Sequence, residues 1–305
     1  MYFLLFFIII ILIRVIYPIK DPFGKNSFNL NKKTNNDISI NYCYLSPDKT
    51  NIKILHLIIT RFMIDWVDQF GNKKIYKNDY ILNGIRVMKK YLIPSLINQR
   101  CKKFVWILIV GNQTNITYIK SFLNYDNIID IKVLYNIELK DFVRNITSSF
   151  EVLITTRIDY DDMIYYDAIN DVRKAINLNK PILLYGYNSG LLYYEFNSKY
   201  YLFYHPKNED GVMSVFISLI IILKQVNDVY TIYDIGDHRY VRKKLLINYR
   251  SYGIKELKYE PAIFDSGSEK FIFVRQKYSG TYNQSINMLK RLKEIKFSLN
   301  KFYGK

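Results

Sequence analysis

An α/β fold, a mainly parallel sheet flanked by helices with a mixed or antiparallel C-terminal half, is predicted by two patterns in the sequence. From residue 51 to about residue 158, short Ile- and Val-rich runs alternate with helical stripes, the spacing of βαβ units. Beyond that, apolar runs crowd together around Asn188-Ser189-Gly190, as antiparallel strands do. With 50% hydrophobic and 16% aromatic residues among 305, the chain has material for a substantial core.

Residues 1–17, MYFLLFFIIIILIRVIY, are apolar apart from Arg14 and are expected to form a hydrophobic anchor, with Arg14 snorkelling. No basic region precedes this segment and no A-x-A-like site follows it, which argues against a cleaved signal. The chain is therefore expected to be membrane-associated. Arg14, Lys20, Lys25, Lys32 and Lys33 follow the segment and favour a cytoplasmic body. Sequons at Asn112, Asn115, Asn145 and Asn283 would suit a lumen instead, so the sequence leaves the side open. Residues 18–50 are polar and Asn/Lys-rich and read as a linker.

The folded domain is expected over residues 51–287. NIKILHLIITRF is its first strand, and DYILNGIRVMKKYLIPSLINQ a helix that Pro94 should kink or restart. FVWILIVGN (strand), TYIKSFLNY (helix), IDIKVLYNI (strand), DFVRNITSSF (helix or turn) and FEVLITTRID (strand) follow. DMIYYDAINDVRKAIN predicts a helix, and PILLYGYNSGLLYYEF with KYYLFYHP an antiparallel pair. The apolar run Val212–Leu223 is too short to span a bilayer and is expected to be a buried helix. Residues 288–305 carry Leu289, Leu292, Ile295 and Leu299 on one stripe with lysines opposite, a basic amphipathic helix.

The formal charge is +17, but the lysines are scattered, and no arginine-rich reading helix or Gly-aromatic signature accompanies them. Nucleic acid is therefore not an expected partner. Cys43 and Cys101 cannot form a disulfide framework and lack metal-ligand spacing, so Cys101 is expected to be a buried free thiol.

Against this basic background, Asp159, Asp161 and Asp162 stand together at the end of a buried strand. Open α/β sheets bind ligands beyond the carboxyl ends of their strands. Crowded carboxylates repel one another, and a divalent cation relieves the conflict. Mg2+ or Mn2+ suits such oxygen ligands, usually together with substrate phosphates. The competing reading is an acidic turn in which Asp161 or Asp162 caps a helix starting near Met163. Arg157 could balance phosphates and carboxylates, or simply pair with Asp159.

Three blocks carry a resemblance: Thr60-Arg61-Phe62; Pro94-Ser95-Leu96 with Gln99, Phe104 and Trp106; and TTRIDYDD, Thr155 to Asp162. Together they resemble the rhamnosyltransferase family of GT-A-type nucleotide-sugar glycosyltransferases, well over residues 53–165 and loosely beyond. The resemblance implies a GT-A-like, Rossmann-type fold and a nucleotide-diphosphate sugar donor. It also implies a divalent metal at Asp159 and Asp161, and nucleotide contacts near Thr60, Arg61 and Arg157. YDIGDHRYVRKKLL, Tyr233 to Leu246, is similar to the segment of inverting GT-A enzymes whose acid deprotonates the acceptor hydroxyl. Asp237 matches that acid, although Gly236 stands where the pattern has Glu, and Glu209 or Asp210 is the rival base. His238 could be a metal ligand, a phosphate donor or a bystander. The acceptor would be a glycan, lipid or protein. Two alternatives stay open at this point: a metal-dependent phosphohydrolase, and a non-catalytic membrane-attached binding module.

Overall fold

The computed structural model describes residues 52–64, 78–125, 127–187, 189–195, 198–204, 216–236, 241, 244–245, 262–264, 271–275 and 294–295. All belong to one compact unit, Asn41–Lys305. The predicted anchor, and Asp237, His238, Glu209 and Asp210, lie outside the described residues. Among the described residues no helix is long and apolar enough to cross a membrane.

Four strands form the parallel heart of the domain: β1 (Ile54–Phe62), β2 (Val105–Val110), β3 (Asp130–Tyr135) and β4 (Val152–Arg157). They lie in the order β3-β2-β1-β4, with β1 parallel to both β2 and β4. Their residues sort by parity, as a period-two pleat requires. Ile58, Phe62, Trp106, Leu108, Val152 and Ile154 enter one core, and Leu57, Ile59, Ile107, Ile109 and Leu153 the other. The strands are therefore apolar on both faces, the mark of a sheet covered on both sides.

Helices α1 (Asn78–Lys90), α2 (Leu92–Ile97) and α3 (Ile116–Lys120) supply residues to the first core. Helix α4 (Leu139–Thr147) supplies Leu139 and Val143 to the second. The break between α1 and α2 falls at Tyr91, whereas the sequence pointed to Pro94. Pro94 sits in the first turn of α2, where a missing N–H costs nothing.

The second half corrects three expectations. The predicted helix after Asp162 is instead a two-residue strand, β5 (Met163–Ile164), followed by a helix, α5, only at Ala168–Lys174. The intervening Tyr165 and Tyr166 are weak helix formers. PILLYGYNSGLLYYEF divides between two sheets. β6 (Ile182–Tyr187) joins the large one, and β7 (Ser189–Tyr194) pairs antiparallel with β8 (Lys199–Tyr204) in a five-stranded sheet.

The third correction is the largest. Within Val212–Leu223, the segment Ile217–Ile222 is a strand, β9, antiparallel to β4 on one side and to β6 on the other. Six buried residues, four of them isoleucine, fit a central strand better than a helix. β10 (Ala262–Phe264) completes the large sheet beside β6. In the smaller sheet β11 (Phe271–Arg275) lies between β7 and β5, and β12 (Glu294–Ile295) pairs with β8. Glu294 and Ile295 fall within the predicted C-terminal helix, and its other residues lie outside the described ones.

Cys101 is fully buried, as expected, but it is disulfide-bonded and not a free thiol.

Candidate active site at the ends of β1 and β4

The candidate site is built where β1 and β4 end side by side. Ile59 and Arg157 are register partners, and the Ile158 N–H donates to the Ile59 carbonyl at 3.2 Å. This pairing brings Arg61, two residues beyond Ile59, and Arg157 to the same end and the same face of the sheet.

A short helix, α6 (Ile232–Ile235), packs against that face. It is pinned at its first turn, where the buried Ile232 N–H donates to Thr155 Oγ1 at 2.9 Å. The Asp234 carboxylate accepts from the Thr231 N–H at 2.6 Å, satisfying an orphan donor at the helix start. Ile232 and Ile235 are buried, which fixes the helix's rotation. Tyr233 is thereby held over the strand ends, its hydroxyl donating to the Ile59 carbonyl at 3.2 Å.

The Tyr233 ring is the centre of the site. The Arg61 guanidinium carbon lies 5.0 Å from the ring centroid and that of Arg157 lies 5.5 Å away. Both distances are within cation–π range. Burial outweighs the two positive neighbours and pushes the Tyr233 hydroxyl up to about 12, so it stays a neutral donor. Arg157 is only 3% exposed and pairs with both oxygens of Asp159 through Nη2, at 3.2 and 3.3 Å. A buried guanidinium needs such a partner, because desolvation of an uncompensated charge is costly. Asp159 itself is 29% exposed, so the pair reaches from the interior to solvent.

After Arg157 the chain makes a turn closed by the Asp162 N–H donating to the Asp159 carbonyl at 3.2 Å. The Asp159-Tyr160-Asp161 segment is therefore curled and does not continue the strand. Tyr160 packs edge-on against Phe62, with ring centroids 5.3 Å apart, and this anchors the tip. Its hydroxyl is held well above its ordinary range by burial first, then by Asp161, with Asp159 a smaller contributor. Asp161 is half-buried and Asp162 is 1% exposed. No helix starts at Met163, so neither residue caps one.

Among the described residues no three His, Cys, Asp or Glu side chains converge as a ready-made metal cage. The half-exposed carboxylates of Asp159 and Asp161 nevertheless fit a hard cation that draws its remaining ligands from substrate phosphates and water. Thr60 is placed differently from its neighbour Arg61. It is fully buried on the opposite face of β1, where its hydroxyl accepts from Trp106 Nε1 at 3.1 Å. His56 also lies on that face, joined to Thr156 at 2.8 Å, and Thr156 is joined to Ser218 at 2.7 Å.

Sequence reasoning missed Tyr233 as a site residue, although it opens the segment that contains Gly236. The backbone at Gly236 has φ 106°, a conformation that favours glycine.

Similarity to known proteins is confined to distant matches among solved structures. No family model matches the sequence, and no curated protein matches it. Among solved structures, a mannosyltransferase from Pyrobaculum calidifontis, in complex with GDP-Man and Mn2+, is 7% identical with a TM-score of 0.40. The match covers 80% of this chain and 63% of that one. The inositol-1-phosphate CTP transferase from T. maritima is 11% identical with a TM-score of 0.31, over 73% of this chain and 85% of that one. HddC from Yersinia pseudotuberculosis is 12% identical with a TM-score of 0.33, over 72% and 90%.

Proposed function

We propose that this chain is a metal-dependent glycosyltransferase that moves a sugar from a nucleotide-diphosphate donor to a hydroxyl of a glycan, lipid or protein. Rhamnose is one candidate sugar. One observation carries the reading: Arg61 and Arg157 are both held against the Tyr233 ring, beside Asp159, at the carboxyl ends of two parallel strands. This is where an open α/β sheet binds nucleotides, and paired guanidiniums suit a diphosphate.

In this reading Arg61 and Arg157 bind and orient the diphosphate, and Tyr233 keeps the two side chains in register. Asp159 and Asp161 would hold Mn2+ or Mg2+, which as a Lewis acid stabilises negative charge on the departing diphosphate. Asp162, buried in the turn, supports the tip. Asp237, directly after Gly236, is the proposed general base. It takes the acceptor's proton as that oxygen bonds to the anomeric carbon. The bond from that carbon to the diphosphate oxygen breaks in the same displacement, with inversion.

The test is a panel of nucleotide sugars and acceptors, assayed with and without Mn2+. Asp159→Asn should lose the metal-enhanced binding of nucleoside diphosphate, read by calorimetry, together with transfer. Asp237→Asn should lower transfer by about 10²- to 10⁴-fold while donor binding persists. Undiminished transfer by Asp159→Asn would overturn the proposal. Free nucleotide without glycosylated product, whatever the acceptor, would make the protein a hydrolase.

A further inference from the structure

Two features are left unexplained by the proposed chemistry: the disulfide at Cys101 and the sequons. We propose that Asn112 is a glycan acceptor, in a body that folds in an oxidising, lumenal or extracellular compartment. The inference is independent of the proposed transferase activity.

The compartment is argued first. Cys101 is fully buried and disulfide-bonded, and Cys43 is the chain's other cysteine. Disulfides persist where the environment is oxidising and are rare where glutathione and thioredoxin keep thiols reduced. A buried disulfide in the folded body bears on the compartment more directly than the charges flanking the N-terminal segment, which gave the opposite orientation.

The structure then separates the sequons. Asn145 lies within α4, and Thr147 of its sequon is 5% exposed, its hydroxyl donating to the Arg144 carbonyl inside the helix. The Asn115 side chain is the N-cap of α3, accepting from the Tyr118 N–H at 3.0 Å. Asn112 and Gln113 are exposed, in the turn that follows β2. That turn is set by the Thr114 N–H donating to the Gly111 carbonyl at 2.9 Å, and the Gly111 N–H ties it to Met63 at 3.1 Å. Asn112-Gln113-Thr114 is thus an acceptor triplet presented on a surface turn with a fixed base, where a bulky glycan displaces no core contact. Asn283 lies outside the described residues.

The modification forms a bond between Asn112 Nδ2 and the anomeric carbon of an oligosaccharide carried on a lipid diphosphate. The carbon–oxygen bond to that diphosphate breaks, and the amide nitrogen releases one proton. No oxidant or reductant takes part.

The experiment expresses the full chain, N-terminal segment included, in cultured eukaryotic cells. Wild-type protein should migrate slower than after endoglycosidase treatment. Asn112→Gln should lose one glycan's worth of that shift, Thr114→Ala should lose the same step, and Asn145→Gln should lose none. Peptide mapping without reductant should recover Cys101 disulfide-linked. A wild-type chain unaffected by endoglycosidase, an unchanged shift in both Asn112→Gln and Thr114→Ala, or a Cys101 thiol alkylated without reduction would each overturn the proposal.

Discussion

At the residue scale, Tyr233 and His56 show how one strand pair serves two faces. Tyr233 contributes a ring against which two cations rest and a hydroxyl that donates to the Ile59 carbonyl. Tyr233→Phe should therefore keep nucleoside diphosphate affinity within about two- to three-fold, since the ring survives. Tyr233→Leu should weaken it about ten-fold, the effect of losing partly desolvated cation–π contacts of roughly 1–2 kcal/mol. Calorimetry on the two variants reads the difference, and equal affinities would mean that the arginines hold themselves. His56 lies on the other face of β1 and is kept neutral, its pKa pushed well below 6.5 by burial first and then by the charge of Arg173. The unfolded chain protonates His56 as pH falls through about 6.5, whereas the folded chain does not. The unfolded state then binds more protons, so this contribution to stability is complete above that pH and is lost below it. The loss has a slope of at most about 1.4 kcal/mol per pH unit. Melting temperatures between pH 7.5 and 5 should fall less steeply for His56→Gln than for wild type.

Elements place these residues, and Gly84 shows how closely they must approach. A Cβ there would lie 2.6 Å from the Met63 methyl and 2.7 Å from a Phe62 ring carbon. Helix α1 thus rests directly on the end of β1, the strand that carries Arg61. Gly84→Ala should destabilise the fold by about 1–3 kcal/mol through overpacking, measurable as a lower denaturant midpoint. Legibility in the sequence follows the same division. The first four strands and the helical segments between them were readable, apart from the break at Tyr91 and the choice of helix over turn for α4, because each buries a continuous apolar run or a helical stripe between polar turns. The acidic tip was readable too, because carboxylates after a buried strand are chemically conspicuous. β9 was not, since a short, wholly apolar run is the same signal for a core helix and a central strand. Nor was Tyr233. It is one of 29 tyrosines, and its partners on β1 and β4 are brought to it only by the tertiary fold.

For the whole molecule, β9 is the strand on which the two halves of the large sheet depend. It bonds β4 on one edge and β6 on the other, so the parallel heart meets the C-terminal half through it. Leu219 is fully buried near its middle, packed in the second core with Leu57, Ile107 and Leu184. Leu219→Ala should cost about 2–5 kcal/mol in equilibrium unfolding. A loss confined to one half, with the other melting as before, would show that the halves are independent.

The place of β9 also sets an order of events during synthesis. β1 to β4 can assemble as soon as they emerge from the ribosome, but one flank of β4 stays bare until residues 217–222 arrive. During that interval the nascent chain presents an unpaired edge of Val152-Leu153-Ile154, which invites association with other chains. Chaperone occupancy should therefore peak on translation intermediates that end between the emergence of β4 and that of β9.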